Sequence, residues 1–520
     1  MPSLTKISLT SLPIEILNGI CSYLEQPEWA ALRLSCRSLY AKSSDAFADR
    51  YFRSICFIAT SEGIRQLEEL AQSEAVRVRV RQLWMIPTVF EGRHGQSLTE
   101  FRRSHYGRTT SDVRKTPSHV GKTPSHVWKS DDALLAHYAI YQAIEADHLA
   151  LLQSTTLGSR LHTCFASFRN LESVGLKHYA TNFLLDRRQA DFRYLGLQEL
   201  RDQVEYVYHQ SGMDLLQWHQ VAKVNSLALS RVLLGLNESS QDFRALNTCG
   251  ANFCGSTSPS LPLTDEQYNS VLLKLGNLEH LHMCICYDED DLDCPPNSNT
   301  YIDLFISVAP QLTTLVFSQW YRSPREMGEQ FLELSQNIRF TRLRELHLHW
   351  IEIGFESFKL FLNTTKGTLD SLSLELVTLK TNTALSTNSE PSGWEQIWES
   401  LGAELSLKSF YMGNIGYRRR KVMIQGPDEL AEPTYSVTFN AYVTDICFND
   451  WIRQLKPIIL RSFDISTRSY PDSLRLRKPR SNDPPASGTQ IHERRPKPLG
   501  LGPKDIRSLM TCYPGRLRHT

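Results

Sequence analysis

A short apolar triplet of the form Φ-x-x-Φ-x-Φ recurs through the chain: Leu171-Val174-Leu176, Val224-Leu227-Leu229, Leu278-Leu281-Met283, Leu312-Leu315-Phe317, Leu343-Leu346-Leu348, Leu369-Leu372-Leu374 and Leu407-Phe410-Met412. In each, the last two apolar residues alternate as a strand does, and the first stands where a turn leads in. Between the triplets lie stretches of helical spacing, as in residues 301–309 (Ile302, Phe305, Ile306, Ala309), 355–362 and 394–405. A strand followed by a helix, many times over, predicts an α/β chain in which no unit buries its own apolar face, so that neighbours must stack. The central residues of the triplets stand 26 to 54 residues apart, which makes the repeat irregular.

Residues 8–57 carry a different signal. A helix is expected to open at Ser11-Leu12-Pro13-Ile14, because proline's fixed φ and missing N–H do least harm at a helix start. At about 100° per residue, Leu12, Ile14, Ile16, Leu17, Ile20, Cys21, Tyr23 and Leu24 cover an arc of roughly 200°. That is two faces. Leu17, Cys21 and Leu24 form the stripe expected to hold a small bundle together, and Leu12, Ile16, Ile20 and Tyr23 are left over. A second helix after Gln26-Pro27 carries Trp29, Leu32, Cys36 and Leu39, and a third from about Asp45 carries Phe47, Tyr51, Ile55 and Ile58. Leaving three or four large apolar groups in water forfeits roughly 1.5–3 kcal/mol each, so the surplus predicts a partner surface.

The order and spacing of Leu12-Pro13-Ile14-Glu15-Ile16-Leu17, Ile20, Tyr23-Leu24 and Leu32-Arg33-Leu34-Ser35-Cys36-Arg37-Ser38-Leu39-Tyr40 resemble the F-box. The resemblance implies docking onto the Skp-type adaptor of a cullin–RING ubiquitin ligase, and through it a cullin, with Leu12, Pro13, Ile16, Ile20, Leu24 and Leu32 as adaptor-binding residues. Ser35 departs from the pattern, which usually has an apolar residue before that cysteine. The triplets resemble the degenerate leucine-rich repeats found behind F-boxes, particularly in fungal proteins, although the asparagine that normally ladders behind the strand is not systematic here. The expected fold is therefore α/β: a small N-terminal three-helix F-box bundle followed by an irregular leucine-rich-repeat-like solenoid. Its parts are an F-box-like bundle at 8–57, a connecting segment at 62–90, a disordered insertion at 91–130, a leucine-rich-repeat-like substrate-binding domain at 131–465 and a disordered basic tail at 471–520.

In the connecting segment, Val76, Val78 and Val80 alternate with Arg77, Arg79 and Arg81, the period of a strand running to Trp84 with one basic face. The insertion is polar and holds a duplication, residues 115–121 and 122–128. Its Gly121-Lys122-Thr123 ends like a phosphate loop, but the required earlier glycine is Thr116. Residues 131–152 return to a helix expected to bury Leu134, Leu135, Tyr138, Tyr141, Ala143, Ile144 and Leu149. Polar loops follow at 237–261, at the acidic 288–293 and at 381–392. Residues 471–520 hold 11 Lys+Arg against 4 Asp+Glu.

Lys+Arg 57 against Asp+Glu 56 leaves a net charge of +1, so no global field recruits nucleic acid or an anionic membrane. No run approaches the roughly 18–20 apolar residues of a membrane span. The 11 scattered cysteines, an odd count, fit a reduced cytoplasmic or nuclear compartment. His280, His282, Cys284, Cys286 and Cys294 lack the spacing of a zinc site, and no metal or cofactor is expected. No nucleophile elbow, His-Glu-x-x-His or dinucleotide fingerprint is present, which leaves no motif that points to an enzyme. His347 and His349 alternate with Leu346 and Leu348 and so face away from the core. With Trp350 and Trp320 they are the residues expected to meet a protein target.

Overall fold

The computed structural model describes residues 8–24, 26–87, 90, 97–98, 101, 131–177, 193–197, 215–239, 241–248, 255–257, 261, 263–287, 304, 306–321, 335–380, 393–417, 420–426, 432–444 and 446–459. The chain is mixed α/β. A 3-10 turn at Leu9–Ser11 leads into helices α1 (Ile14–Ser22), α2 (Gln26–Ser35) and α3 (Arg37–Phe52). Then come β1 (Ser54–Ile58), α4 (Ser61–Gln72), α5 (Glu74–Arg77), β2 (Gln82–Ile86), α6 (Asp131–Gln153), α7 (Thr156–Ser167), β3 (Ser173–Leu176) and β4 (Arg193–Leu195). They are followed by α8 (Leu215–Glu238), β5 (Ala245–Asn247), β6 (Ser256–Thr257), α9 (Asp265–Leu275), β7 (His280–Tyr287) and β8 (Thr314–Tyr321). The last part holds β9 (Glu345–His349), β10 (Glu352–Gly354), α10 (Phe355–Thr365), β11 (Ser371–Glu375), β12 (Thr378–Lys380), α11 (Gly393–Glu404), β13 (Ser409–Gly413), β14 (Gly416–Tyr417), β15 (Arg420–Gln425), β16 (Ser436–Asn440), α12 (Phe448–Arg453) and β17 (Lys456–Ile459). All lie in one compact unit that ends at Leu474.

The main sheet runs β16-β13-β11-β9-β8-β7-β5-β3-β2-β1-β4, with β6 beside β7. From β1 to β13 the strands along this path are parallel and in chain order. The register aligns one apolar residue per strand: Ile55, Leu83, Val174, Leu246, Leu281, Leu315, Leu346, Leu372 and Phe410. All nine are buried in one core shared with α4, α7, α8, α9, α10 and α11. Each such side chain contributes roughly 1.5–3 kcal/mol by leaving water. The backbone repeats too, since two successive N–H groups at the start of a strand donate to one carbonyl of the preceding strand's lead-in residue. The accepting carbonyls belong to Arg53, Arg81, Glu172, Arg244, Glu279, Thr313, Arg344 and Asp370.

Six of the seven triplets stand at β3, β7, β8, β9, β11 and β13. Val224-Leu227-Leu229 does not, because it lies inside α8, a 24-residue helix that is buried on most sides from Val221 onward, where apolar residues at almost any spacing satisfy a triplet. The strand of that unit is β5, led in by Phe243. The sheet also starts earlier than residue 131, at β1 and β2. Ile55 and Ile58 belong to β1, not to a third helix that instead begins at Arg37, with Cys36 as its N-cap. β1 is buried on both faces, so its run SICFI gives no period to read. The Val76–Val80 alternation is likewise not a strand. Residues 74–77 form α5, and Arg79 is turned to Asp45 and Asp49 of α3 at 2.7 and 3.0 Å.

Three corners repeat after β9, β11 and β13. Trp350, Leu376 and Asn414 take positive φ of 52, 57 and 50°. Each is followed by a buried Ile351, Val377 or Ile415. The chain then enters β10, β12 or β14 of a second sheet, ordered β10-β12-β14-β15-β17. The N–H of Trp350 donates to Glu375 O and that of Leu376 to Gly413 O, both at 3.0 Å, so each left-handed corner is held by the next unit.

Opposite the main core, a second cluster covers the β1–β2 end of the sheet: Cys56, Ile58, Ile86, Phe90, Phe101, Leu134, Tyr141 and Leu197. Phe101 falls within the segment read as a disordered insertion, yet its ring packs on Tyr138 and Tyr141 at 5.3 and 5.4 Å. The duplicated residues 115–128 and the tail 471–520 lie outside the described residues. On α6, Leu134, Tyr141 and His148 are buried at a seven-residue interval, whereas Leu135, Ala143 and Leu149 are exposed.

Candidate functional site

Two surfaces stand out, one at each end of the polarity scale. The first is on the N-terminal helices. Leu17, Cys21, Trp29, Leu39 and Tyr51 make a small core of their own, with Leu24, Leu32 and Phe47 packed on it. Trp29 meets Phe47 and Tyr51 edge-on at 5.7 and 5.6 Å. Arg33 lies over Phe47 at 3.9 Å and Tyr40 at 4.6 Å, which ties α2 to α3 by cation–π contact. Lys42 Nζ donates to Thr10 O at 2.8 Å and Leu12 O at 2.9 Å, fixing the turn that delivers Pro13 to the start of α1. Arg50 Nη1 donates to Ser22 O at 3.0 Å, which closes the C-terminal end of α1 with a cation, as its dipole favours.

With α1 held at both ends, its outer face is apolar and wet. Ile16 is 55% exposed, Ile20 38%, Tyr23 89%, and Leu34 on α2 84%. Pro13 and Ile14 are exposed and Leu12 is half-buried. Leu24 and Leu32, named with the adaptor-binding residues, are half-buried and pack on the helical core. Leu34 and Tyr40 are exposed apolar residues that the helix-stripe reading left unassigned, although both stood in the resembling motif.

The second surface is the face of strands β7 to β16 that turns away from the main core. Register places three rows on it. One is His282, Val316, His347, Ser373, Tyr411 and Thr438, and the next is Cys284, Ser318, His349, Glu375, Gly413 and Ser436. The third is His280, Thr314, Glu345, Ser371, Ser409 and Asn440. His347 and His349 are both half-buried here. Burial first, then the neighbouring His347 and His282, pushes His349 down to about 4. Burial also lowers His347, against the pull of Glu345. Trp350 forms the left-handed corner after β9, one residue past the last paired position of that strand. Trp320 occupies a backbone position on β8 opposite Cys286, and its side chain lies outside the described residues. Ser318, Ser373, Glu375 and Tyr411 join the face by the same alternation that identified the histidines, and only their polar triplet positions could have signalled them.

Among the described residues no group of three or more His, Cys, Asp or Glu is placed to hold a metal ion, and no helix is long and apolar enough to cross a membrane. Burial pushes the Cys56 thiol up to about 11 and the Cys164 thiol to about 12, so both stay protonated at neutral pH. No family model matches the chain, and no curated protein matches it in sequence.

Proposed function

We propose that this chain is the substrate-recognition subunit of a Skp–cullin–F-box ubiquitin ligase. The three N-terminal helices act as an F-box bundle that docks on the Skp-type adaptor and, through it, a cullin. The parallel units act as irregular leucine-rich repeats that receive a protein target on their open face. Proximity of the target to the ubiquitin-charged enzyme, rather than side-chain chemistry in this chain, then drives transfer. Such an assembly works in the cytoplasm or nucleus.

The observation that carries the reading is the pairing of a self-contained helical core with an exposed apolar stripe of Ile16, Ile20 and Tyr23 on α1. An apolar face that its own chain does not cover has the character of a protein-binding surface. The units that follow support the second half, since Leu343, Leu346, Leu348, Ile351 and Ile353 are buried at the spacing of a leucine-rich repeat, with isoleucine where asparagine is usual.

The test is co-purification of the full chain with a Skp-type adaptor and cullin. Pro13→Ala, Ile16→Ser and Ile20→Ser together should reduce adaptor capture at least tenfold while leaving the melting temperature unchanged. Capture that survives in the folded triple variant sinks the docking face. Adaptor capture without cullin would instead make the chain an interaction scaffold that acts without ubiquitylation.

A further inference from the structure

Strands β7, β8, β9, β11, β13 and β16 contain no lysine or arginine, and their only carboxylates are Glu345 and Glu375. Both stand on the face turned away from the main core, Glu345 in an exposed position and Glu375 half-buried in the row that also holds the buried Cys284, Ser318 and Gly413. Because Ser371 pairs with Glu345 and Glu375 with His349, the two glutamates sit on neighbouring strands, four residues apart along the strand direction. That separation is about 13 Å along the sheet and about 5 Å across it.

The surroundings of Glu375 are incomplete. Its Oε1 accepts from Asn414 Nδ2 at 3.0 Å, while the buried Oε2 takes no hydrogen bond among the described residues. On β8, Ser318 is 1% exposed and its Oγ is likewise without a partner among the described residues. The Glu375 carboxylate and the Tyr411 hydroxyl fill the space that a side chain at Gly413 would take, so the glycine is what lets the carboxylate lie there. Buried acceptors without donors are costly, and a guest that brings N–H groups and positive charge removes the cost. His347 and His349, held low by burial, bring no positive charge of their own at neutral pH.

We propose that the open face of β9 and β11 takes an extended basic segment of the target protein, with one arginine or lysine at Glu345 and a second, four residues along, at Glu375. This rests on the reading of that face as the target site and names the chemistry it selects. An extended chain advances about 3.3 Å per residue and returns its side chains to the same side every second residue. Cations four apart therefore reach both glutamates from one side, and cations three apart cannot. An acidic partner would meet two carboxylates and no counter-charge on these strands.

The experiment measures fluorescence anisotropy of the full-length chain with a fluorescein-labelled nonapeptide of serine and alanine that carries two arginines four positions apart. Binding should be saturable, should weaken about threefold in Glu345→Gln and in Glu375→Gln, and about tenfold in the double variant. Placing the arginines three apart should weaken it about threefold, and Glu266→Gln on α9 should leave it unchanged. Equal binding of a glutamate-bearing counterpart, or indifference to both substitutions, overturns the proposal. Neutralising Arg475, Arg477, Lys478 and Arg480 to glutamine tests the chain's own tail as the occupant, and fivefold tighter peptide binding in that variant also overturns it. Should Glu375→Gln fail to fold, the exposed Glu345 carries the test. Adaptor capture is read on the same preparations. Capture without peptide discrimination fails this proposal alone, and discrimination without capture fails only the adaptor reading.

Discussion

Two buried tryptophans, Trp29 and Trp394, mark two ways of building a core in one chain. Trp394 on α11 sits in the large core, and its Nε1 donates to Gly416 O of β14 at 2.7 Å. Trp29 on α2 sits among a handful of residues, packed edge-on against aromatic rings, and its indole N–H meets no acceptor among the described residues. The sheet spreads its stability over a ladder in which each rung repeats the last. The helices concentrate theirs on a few rings and leave a full apolar face outside. A core so small is a platform for a surface, whereas the ladder is a platform for many.

That contrast sets an order of effects. Trp394→Ala should be the costliest single change, about 5 kcal/mol from the cavity and the abandoned Gly416 carbonyl, read as a shift of the main urea transition. Trp29→Ala should cost about 4 kcal/mol but locally, so that amides of residues 14–52 lose hydrogen-exchange protection while those of β7–β13 keep theirs. If both regions lose protection together, the helices are not an independent core. Acid should discriminate in the opposite sense, because residues 8–52 contain no histidine. Burial pushes His148 on α6 down to about 4, with its Nε2 bonded to Pro87 O at 3.0 Å. A histidine held below its unfolded value of about 6.5 stabilises fully above that pH. Its contribution of about 3 kcal/mol is lost as pH falls from about 6.5 toward 4. His148→Phe should therefore shallow the acid limb of the stability curve, and His349, which titrates in the same window, should keep it from flattening. Lys42→Met should cost about 1–2 kcal/mol through its two lost carbonyl contacts, visible as fraying of residues 9–13. Ile16→Ser should change the melting temperature least, by the equivalent of about 0.5 kcal/mol or less, since the free chain gains nothing from a side chain in water.

The sequence made the sheet more legible than its margins. A triplet such as Leu343-Leu346-Leu348 is readable because its strand has one buried and one polar face, so period two survives. β1 is not, because Cys56 and Ile58 meet a second cluster on the far side and erase the alternation. Phe101 was hidden for the related reason that one aromatic in a polar stretch has no period at all. The apolar excess of α1 was legible as a count, and its division into buried Leu17 and Cys21 and exposed Ile16 and Ile20 follows helical geometry. Leu34 and Leu32 could not be ranked that way, since which side of α2 is covered depends on where α3 crosses it. The left-handed corners were invisible, because Trp350 and Leu376 are residue types that seldom take positive φ and do so only where the next unit's carbonyl holds them.

Between Phe52, the last residue of α3, and Ser54, the first of β1, stands only Arg53, whose carbonyl starts the backbone rungs of the sheet. The N-terminal helices are thus spliced to the sheet without slack. From β1 to β9 the path crosses six strand steps, at about 4.8 Å each, so about 29 Å of sheet separates the root of the helices from His347 and His349. Loops between strands can lengthen freely without altering that distance, because it is counted in rungs and not in residues. The chain behaves as a ruler whose graduations are hydrogen bonds, and anything gripped at its far end is presented at a set reach from whatever holds the near one.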